Sequence, residues 1–224
     1  MTGLLFLSAL WFSSCRRSAD IPDTIEAHYL KYRVSYLEDR AGAIPTGILP
    51  DHMDTYYTRH FVLTRIEGFL NQFSLTQIAD LRERKVTTLL NYFGNKIYCA
   101  GEDGELPAGI VEPARLDCRY TGDTLTIAGL RSERIEIDTG EEKFDIYFTR
   151  DFSARKPNIT TPYQCIDQAL SDFRIQLSLL KMHLTCLEYM TKTIESEIFA
   201  IPEDYSPVTR QAMEEIINSL FTKE

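Results

Sequence analysis

The chain has 224 residues, of which 44% are hydrophobic and 25% are charged, a composition typical of a folded domain rather than of a disordered segment. Its formal net charge of -9, from 24 basic and 33 acidic side chains, disfavours nucleic acid as a partner, because phosphate binding requires clustered Lys and Arg. The sequence contains no such basic cluster.

The first informative segment is an apolar run at residues 4–12 that a single serine interrupts. A membrane-spanning helix needs roughly 20 apolar residues, so this run has the length of a signal-peptide core instead. Residues 12–15 (Phe, Ser, Ser, Cys) resemble the bacterial lipobox, in which an apolar residue and two small residues precede a cysteine. The resemblance implies that a lipoprotein signal peptidase removes residues 1–14 and that Cys15 is lipidated.

Two features depart from the lipobox pattern: Phe12 stands where Leu is usual, and residues 1–3 contain no Lys or Arg. An accidental apolar N-terminus on a cytoplasmic protein is the alternative interpretation. Under the lipoprotein hypothesis, residues 15–26 are a lipid-anchored tether in the bacterial cell envelope. Arg16 and Arg17 occupy the place of the acidic run associated with surface export, so we expect an outer-membrane anchor that faces the periplasm.

Four further cysteines follow, Cys99, Cys118, Cys165 and Cys186, and an oxidising envelope would allow them to form disulfides. None lies in a Cys-x-x-Cys pair and no His stands at zinc-ligand spacing, so we predict no metal and no cofactor. We predict a disulfide between Cys99 and Cys118, because the alternating segments that carry them flank one loop and would bring the sulfurs opposite if they paired as a hairpin. Other connectivities, and four buried free thiols, remain open.

From Ala27 onward, the hydrophobic pattern has mostly period two, as strands require. A phase slip near Leu180 and Lys181 indicates a turn or a bulge. The pattern predicts about ten strands joined by short turns, and therefore an antiparallel sheet. The alternating sets are Leu30, Tyr32, Val34 and Tyr36; Val86, Thr88, Leu90 and Tyr92; Leu116, Cys118 and Tyr120; Ile135 and Ile137; Phe144, Ile146 and Phe148; and Phe173, Ile175, Leu177 and Leu179.

Helical signals are few. Thr161 followed by Pro162 predicts a short helix that ends near Leu170. Ser206 and Pro207 open a longer C-terminal helix with one apolar face. No repeat or linker divides residues 27–224, which we expect to form a single domain. The apolar face of the predicted C-terminal helix consists of Val208, Ala212, Met213, Ile216, Ile217 and Leu220.

No catalytic signature of a hydrolase, metalloprotease, nucleotide-binding loop or dinucleotide fold occurs. The four histidines, His28, His52, His60 and His183, are scattered along the chain. His52 and Asp54 could share a strand face with His60 across a hairpin, but polar strand faces produce such pairs by chance. We therefore predict no catalytic residues and no enzymatic activity.

A longer resemblance covers residues 28–221. Residues 127–130 (Ile, Ala, Gly, Leu), 147–149 (Tyr, Phe, Thr), 158–163 (Asn, Ile, Thr, Thr, Pro, Tyr) and 199–205 (Phe, Ala, Ile, Pro, Glu, Asp, Tyr) resemble, in order, segments of Bacteroides-type envelope lipoproteins with a LolA-like fold. The resemblance implies one strongly curved antiparallel sheet, an open half-barrel closed over by a few helices, as in periplasmic carriers of lipoproteins and lipids. That family offers no established catalytic residue to transfer. The expected anchor, and the lack of a long helix after the signal segment, argue against a soluble shuttle.

Geometry independently predicts a groove. Ten strands at about 4.8 Å spacing make a sheet roughly 45 Å wide, whereas a helix of about 14 residues is only about 21 Å long. The sheet must then curl around the helices in its concavity and leave an apolar cleft. We therefore expect a membrane-anchored lipoprotein that binds a lipid or acyl chain in the concave face, with Ile216, Ile217 and Leu220 as ligand contacts. The alternative is an interaction or scaffold lipoprotein with a filled core and an unknown protein partner.

Overall fold

The structure, a computed structural model, is dominated by β-strands, and the part of the chain that it describes has one α-helix, near the C-terminus. This confirms the predicted mainly-β fold class, with one large curved and open sheet. The signal segment, Cys15 and residues 16–21 of the predicted tether lie outside the described residues, whereas residues 24–26, predicted as the end of the tether, already belong to the first strand of the sheet. The described residues are 22–38, 40–41, 44–46, 49–68 and 72–221.

Twelve strands form one sheet, where the sequence predicted about ten, in the order β14-β8-β7-β6-β5-β4-β1-β13-β12-β11-β10-β9. All neighbours are antiparallel except β14, which runs parallel to β8. Strands β2 and β3 pair separately. The strands are β1 (Thr24–Tyr36), β2 (Arg40–Ala41), β3 (Ile44–Pro45), β4 (His52–Tyr57), β5 (Phe61–Glu67), β6 (Phe73–Asp80), β7 (Lys85–Tyr92), β8 (Asn95–Ala100), β9 (Asp117–Ile127), β10 (Leu130–Asp138), β11 (Lys143–Thr149), β12 (Ala169–Leu177), β13 (Leu180–Glu195) and β14 (Ser206–Pro207). A 3-10 turn (Ser196–Phe199) and the helix α1 (Arg210–Ser219) also lie in the described part of the chain.

The period-two pattern places apolar side chains on the inner face of the sheet. Leu30, Tyr32 and Val34 of β1 are buried there, because successive side chains of a strand point to opposite faces. The predicted phase slip near Leu180 is a hairpin turn between β12 and β13, in which Ser178 adopts a positive φ of 52°. The turn flips the alternation and keeps both strands facing the same core.

The inner face is covered by α1 and by two irregular segments, 101–116 and 150–168. Thr209 caps α1 by accepting a hydrogen bond from the Ala212 amide at 3.2 Å, and Met213 and Ile217 are buried against the sheet. The helix begins later than predicted because residues 206–207 pair with β8 as β14. Gly109, at a φ of 83°, lies so close to α1 that an added Cβ would be 3.0 Å from Ile217.

The helix predicted from Thr161 to Leu170 is wrong: this segment consists of turns that lead into β12. The Thr161 hydroxyl donates a hydrogen bond to the Asn158 carbonyl and accepts one from the Tyr163 amide. The Asn158 side-chain amide donates to the Ile166 carbonyl at 2.7 Å and to the Gln168 carbonyl at 2.9 Å. Local side-chain hydrogen bonds thus compete with helix formation and fold the segment back on itself.

The C-terminal segment covers part of the outer face before α1 reaches the inner face. After β13, Phe199 stacks on Phe61 with ring centroids 4.9 Å apart. Leu63, Ile78 and Leu89 complete this second, smaller core. The chain then pairs with the edge of β8 as β14, so the C-terminus wraps around one edge of the sheet.

Candidate functional site

The concave face, where we predicted an apolar cleft, is occupied by the protein itself. Ile217 is only 1% exposed, and Ile216 and Leu220 are partly buried against the main core. A pocket between the sheet and residues 157–161 has a volume of about 20 Å³. That volume suits a single water molecule, whereas sites for drug-sized ligands measure roughly 300–1,000 Å³. The three predicted contact residues of α1 are therefore packing residues in this conformation.

A row of buried polar residues crosses the sheet at this small pocket, and three of them, Thr55, Thr64 and Gln77, line it. Thr55, Thr64, Gln77 and Thr88 occupy directly paired positions across β4, β5, β6 and β7, and all four are buried. Thr64 donates to the Gln77 side-chain oxygen at 3.1 Å, and Thr88 accepts from the Ala108 amide at 3.2 Å. The Thr55 hydroxyl is buried without a hydrogen-bond partner among the described residues. An acyl chain placed here would leave the buried Thr55 hydroxyl without a hydrogen-bond partner, which makes the site less suited to an acyl chain than a fully apolar one.

The predicted histidine constellation does not assemble. His52 and Asp54 share the outer face of β4, but His60 lies in the turn at the opposite end of that strand. Asp54 instead accepts a hydrogen bond from the Tyr29 hydroxyl at 2.6 Å. Among the described residues, no group of three His, Cys, Asp or Glu side chains could hold a metal ion.

A groove of about 720 Å³ crosses the outer face of β9 to β13 and is lined mainly by charged side chains. In it, His183 Nε2 lies 2.7 Å from Asp172, whose second oxygen accepts a hydrogen bond from the Thr185 hydroxyl at 2.6 Å. Arg119 pairs with Glu136 across neighbouring strands. The charged groups of the groove thus largely satisfy one another, as on a solvated sheet surface.

The two edges of the sheet differ strongly. One edge is β14, which has only two residues and ends in Pro207. The other is β9, which extends from Asp117 to Ile127 and pairs only with β10 among the described strands. Short strands and proline are two of the means by which proteins protect a sheet edge, and of the two edges only β14 has them.

Apolar side chains are exposed along the β9 edge. Tyr120 is 54% exposed and Leu125 is 41% exposed, although both lie on the inner face of the strand, next to the main core. Tyr120 contacts the buried Phe148 ring edge-on, with centroids 5.8 Å apart. A register shift near Gly122, which has a φ of 82°, divides the strand into two halves.

The second half of β9 has backbone groups that face away from the sheet. Ala128 and Gly129, both with positive φ, form a two-residue turn that joins Ile127 to Leu130. Ile127 and Leu130, which flank the two-residue turn, form a hydrogen-bonded pair, and hydrogen-bonded and non-hydrogen-bonded pairs alternate along an antiparallel ladder. The next pair, Thr126 and Arg131, is therefore non-hydrogen-bonded, and Thr126 directs its N–H and C=O away from β10. This edge was not predicted from the sequence, because hydrophobic alternation does not reveal which strand lies at the end of a sheet.

The predicted pairing of Cys99 with Cys118 is wrong. Their strands, β8 and β9, do not form a hairpin but lie near opposite ends of the sheet order, because residues 101–116 cross the inner face. The Cys118 sulfur lies 3.8 Å from that of Cys165, and these two cysteines, like Cys99 and Cys186, are free thiols. Burial raises the pKa of Cys186 to about 11 and also raises the pKa of Cys99.

Among the described residues, no helix combines the length and the apolar character that a membrane span requires.

No family model matches the chain, and no curated protein matches it either. Among solved structures, the chain is similar to PNGF-II in space group C2, with a TM-score of 0.55 and 9% identity over 86% of this chain. It is similar to PNGF-II in space group P21, with a TM-score of 0.53 and 8% identity over the same 86% share. The chain corresponds to 33% of the length of PNGF-II, and at such low identity the likeness shows the fold alone.

Proposed function

We propose that this protein is a non-enzymatic interaction protein of the bacterial cell envelope, which binds an extended segment of a partner protein along the β9 edge. The observation that carries the proposal is the unpaired side of β9, an edge strand of 11 residues. An extended peptide can add to such an edge, where main-chain hydrogen bonds provide affinity and alternate side chains provide specificity.

The side chains of the edge support one kind of partner. Tyr120 and Leu125 are the apolar groups that an added strand would cover on the inner side. The partner segment should therefore carry apolar residues at alternating positions, so that one of its faces extends the core. Thr126 offers a free main-chain donor and acceptor for the new ladder.

The envelope location rests on the lipobox-like residues that end at Cys15, which lie outside the described residues. A lipid anchor would hold the domain at the membrane and leave the β9 edge available to a partner. The hypothesis of a lipid or acyl ligand stays a prediction, and it requires α1 or residues 157–168 to move, because they now fill the concave face.

The proposal predicts a specific crosslink at the edge. A photoreactive amino acid at position 125 should give a discrete adduct with a partner protein in intact cells, because the added strand would lie in contact with that side chain. The same probe at Leu187, an exposed leucine of β13, serves as the control and should not give this adduct.

A backbone test separates strand addition from other contacts. Thr126→Pro removes the N–H that faces the partner and should abolish the adduct, whereas Thr126→Val keeps that N–H and should preserve it. Thermal unfolding of both variants shows whether the fold is intact. An adduct that survives Thr126→Pro, or its absence from position 125 in the parent protein, would refute the proposal.

A further inference from the structure

We propose that Cys118 and Cys165 form a disulfide when the protein meets a disulfide-bearing oxidant. The inference stands on the geometry of the two thiols and does not depend on the proposed partner binding. Their sulfurs are 3.8 Å apart, so they must approach by roughly 1.8 Å to reach the S–S bond length of about 2.05 Å.

The surrounding structure fixes the backbone on both sides of the pair. Cys118 lies in β9 directly opposite Ile137 of β10. The turn that carries Cys165 is closed by a hydrogen bond from the Ile166 amide to the Tyr163 carbonyl at 2.9 Å. The Tyr163 hydroxyl also donates to the Arg174 carbonyl of β12 at 2.5 Å. Closing the bond therefore needs side-chain rotation and a small local shift, without rearrangement of the sheet.

The two thiols differ in accessibility, which sets the order of the reaction. Cys165 is exposed, whereas Cys118 is partly buried among residues of the main core. Desolvation and the neighbouring Cys165 raise the pKa of Cys118 to about 12. Cys165 is thus the thiol that first attacks the oxidant, because it is the more accessible of the two and the raised pKa of Cys118 disfavours the Cys118 thiolate.

The chemistry balances with a disulfide as the oxidant, for which oxidised glutathione is the laboratory example. The Cys165 thiolate attacks one sulfur of glutathione disulfide, breaks its S–S bond, forms a mixed disulfide and releases one glutathione thiolate. The Cys118 thiolate then attacks the Cys165 sulfur and releases the second glutathione. The two cysteines lose two electrons and two protons, and the oxidant is reduced to two thiols.

The bond would connect the exposed edge strand to the segment that covers the inner face. Cys118 is in β9, and Cys165 lies in the turn that packs on the core through Tyr163. The crosslink would close a loop of about 47 residues, which restricts the unfolded chain and hence stabilises the folded state. It would also limit fraying of β9, which as an edge strand pairs with a neighbour on one side only among the described strands.

The test uses the full chain, purified in the reduced state and then incubated with a mixture of oxidised and reduced glutathione. Free thiols are alkylated in denaturant without reductant, and the peptides are mapped by mass spectrometry. We expect a peptide pair joined through Cys118 and Cys165, whereas Cys99 and Cys186 remain alkylated. Oxidation should raise Tm by roughly 5–15 °C relative to the reduced protein.

Matched variants assign this shift to the bond. Cys165→Ser, at an exposed position, should fold normally and should show the same Tm in oxidising and reducing buffer. Cys186→Ala, which removes a buried thiol outside the pair, should keep both the linked peptides and the Tm shift on oxidation. Complete alkylation of Cys118 and Cys165 after oxidation, glutathione retained on Cys165 alone, or a link through Cys99 would each overturn the proposal.

Discussion

Replacing Ile217 by alanine should lower the free energy of unfolding by about 2–5 kcal/mol, the range for truncating a buried isoleucine in a tightly packed core. The Ile217 side chain is 1% exposed and packs directly against Gly109, which has no side chain that could move into the space left by the truncation. Urea denaturation with extrapolation to water provides the measurement.

The matched control is Ile201→Ala, because Ile201 is 39% exposed in the segment that crosses the outer face. This substitution removes the same atoms from a site that buries less of them, so its cost should be clearly smaller. An equal cost for both substitutions would contradict a core packed around α1.

The same pair of variants also tests the acyl-ligand hypothesis. A ligand that binds only the folded state must raise Tm as its concentration rises. If the concave face is filled, a fluorescent fatty acid should leave the Tm of the parent protein and of both variants unchanged. A concentration-dependent increase in the parent protein, reduced by Ile217→Ala, would favour the carrier hypothesis over the interaction hypothesis.

The sequence predicted the elements of this fold well, because alternation follows directly from burial of one sheet face. Leu30, Tyr32 and Val34 lie on the core side of β1 as expected, and the phase slip near Leu180 marks a true hairpin. Helix signals in the sequence predicted the structure less well where side chains form hydrogen bonds with backbone groups that a helix would use. Thr161 indicated a helix, yet Asn158 binds the carbonyls of Ile166 and Gln168 and redirects the chain.

The hydrophobic alternation of the sequence could not predict the order of the strands in the sheet. Cys99 and Cys118 flank one loop in sequence, but that loop crosses the whole inner face, so their strands are not neighbours. For the same reason, the proximity of Cys118 to Cys165 and the exposure of the β9 edge emerge only in three dimensions. One sequence signal for the edge existed: Gly122 interrupts an alternating segment, as glycines at bulges of edge strands often do.

The filled concavity corrects the geometric argument for a groove. The width of a sheet and the length of a helix do not determine whether the concave face is filled, because irregular segments can cover it as well. Here Ala108 and Ile110 of one loop, and Ile159, Tyr163 and Ile166 of another, supply much of the missing core. Loops that bury apolar side chains and satisfy their polar groups internally, as Asn158 does, can replace a helical layer.

Replacing Cys15 by serine should abolish lipidation and release the protein from the membrane. The expectation follows from the lipobox-like residues 12–15, since the acyl groups of a lipoprotein are attached to the cysteine that becomes its first residue. Stable anchoring requires more than one acyl chain, because a single myristoyl chain binds membranes only marginally. Labelled fatty acid should therefore be incorporated into the parent protein and not into the Cys15→Ser variant, which should remain uncleaved or soluble.

Ser13→Ala is the control for this experiment, because it keeps a small residue before the cysteine and should preserve both labelling and membrane attachment. Mass spectrometry of the N-terminal peptide then distinguishes cleavage before Cys15 from retention of Met1. A parent protein that keeps Met1 and carries no acyl group would remove the basis for an envelope location. The β9 edge would then have to serve a partner in the cytoplasm, where thiol-reducing systems would also keep Cys118 and Cys165 unbonded.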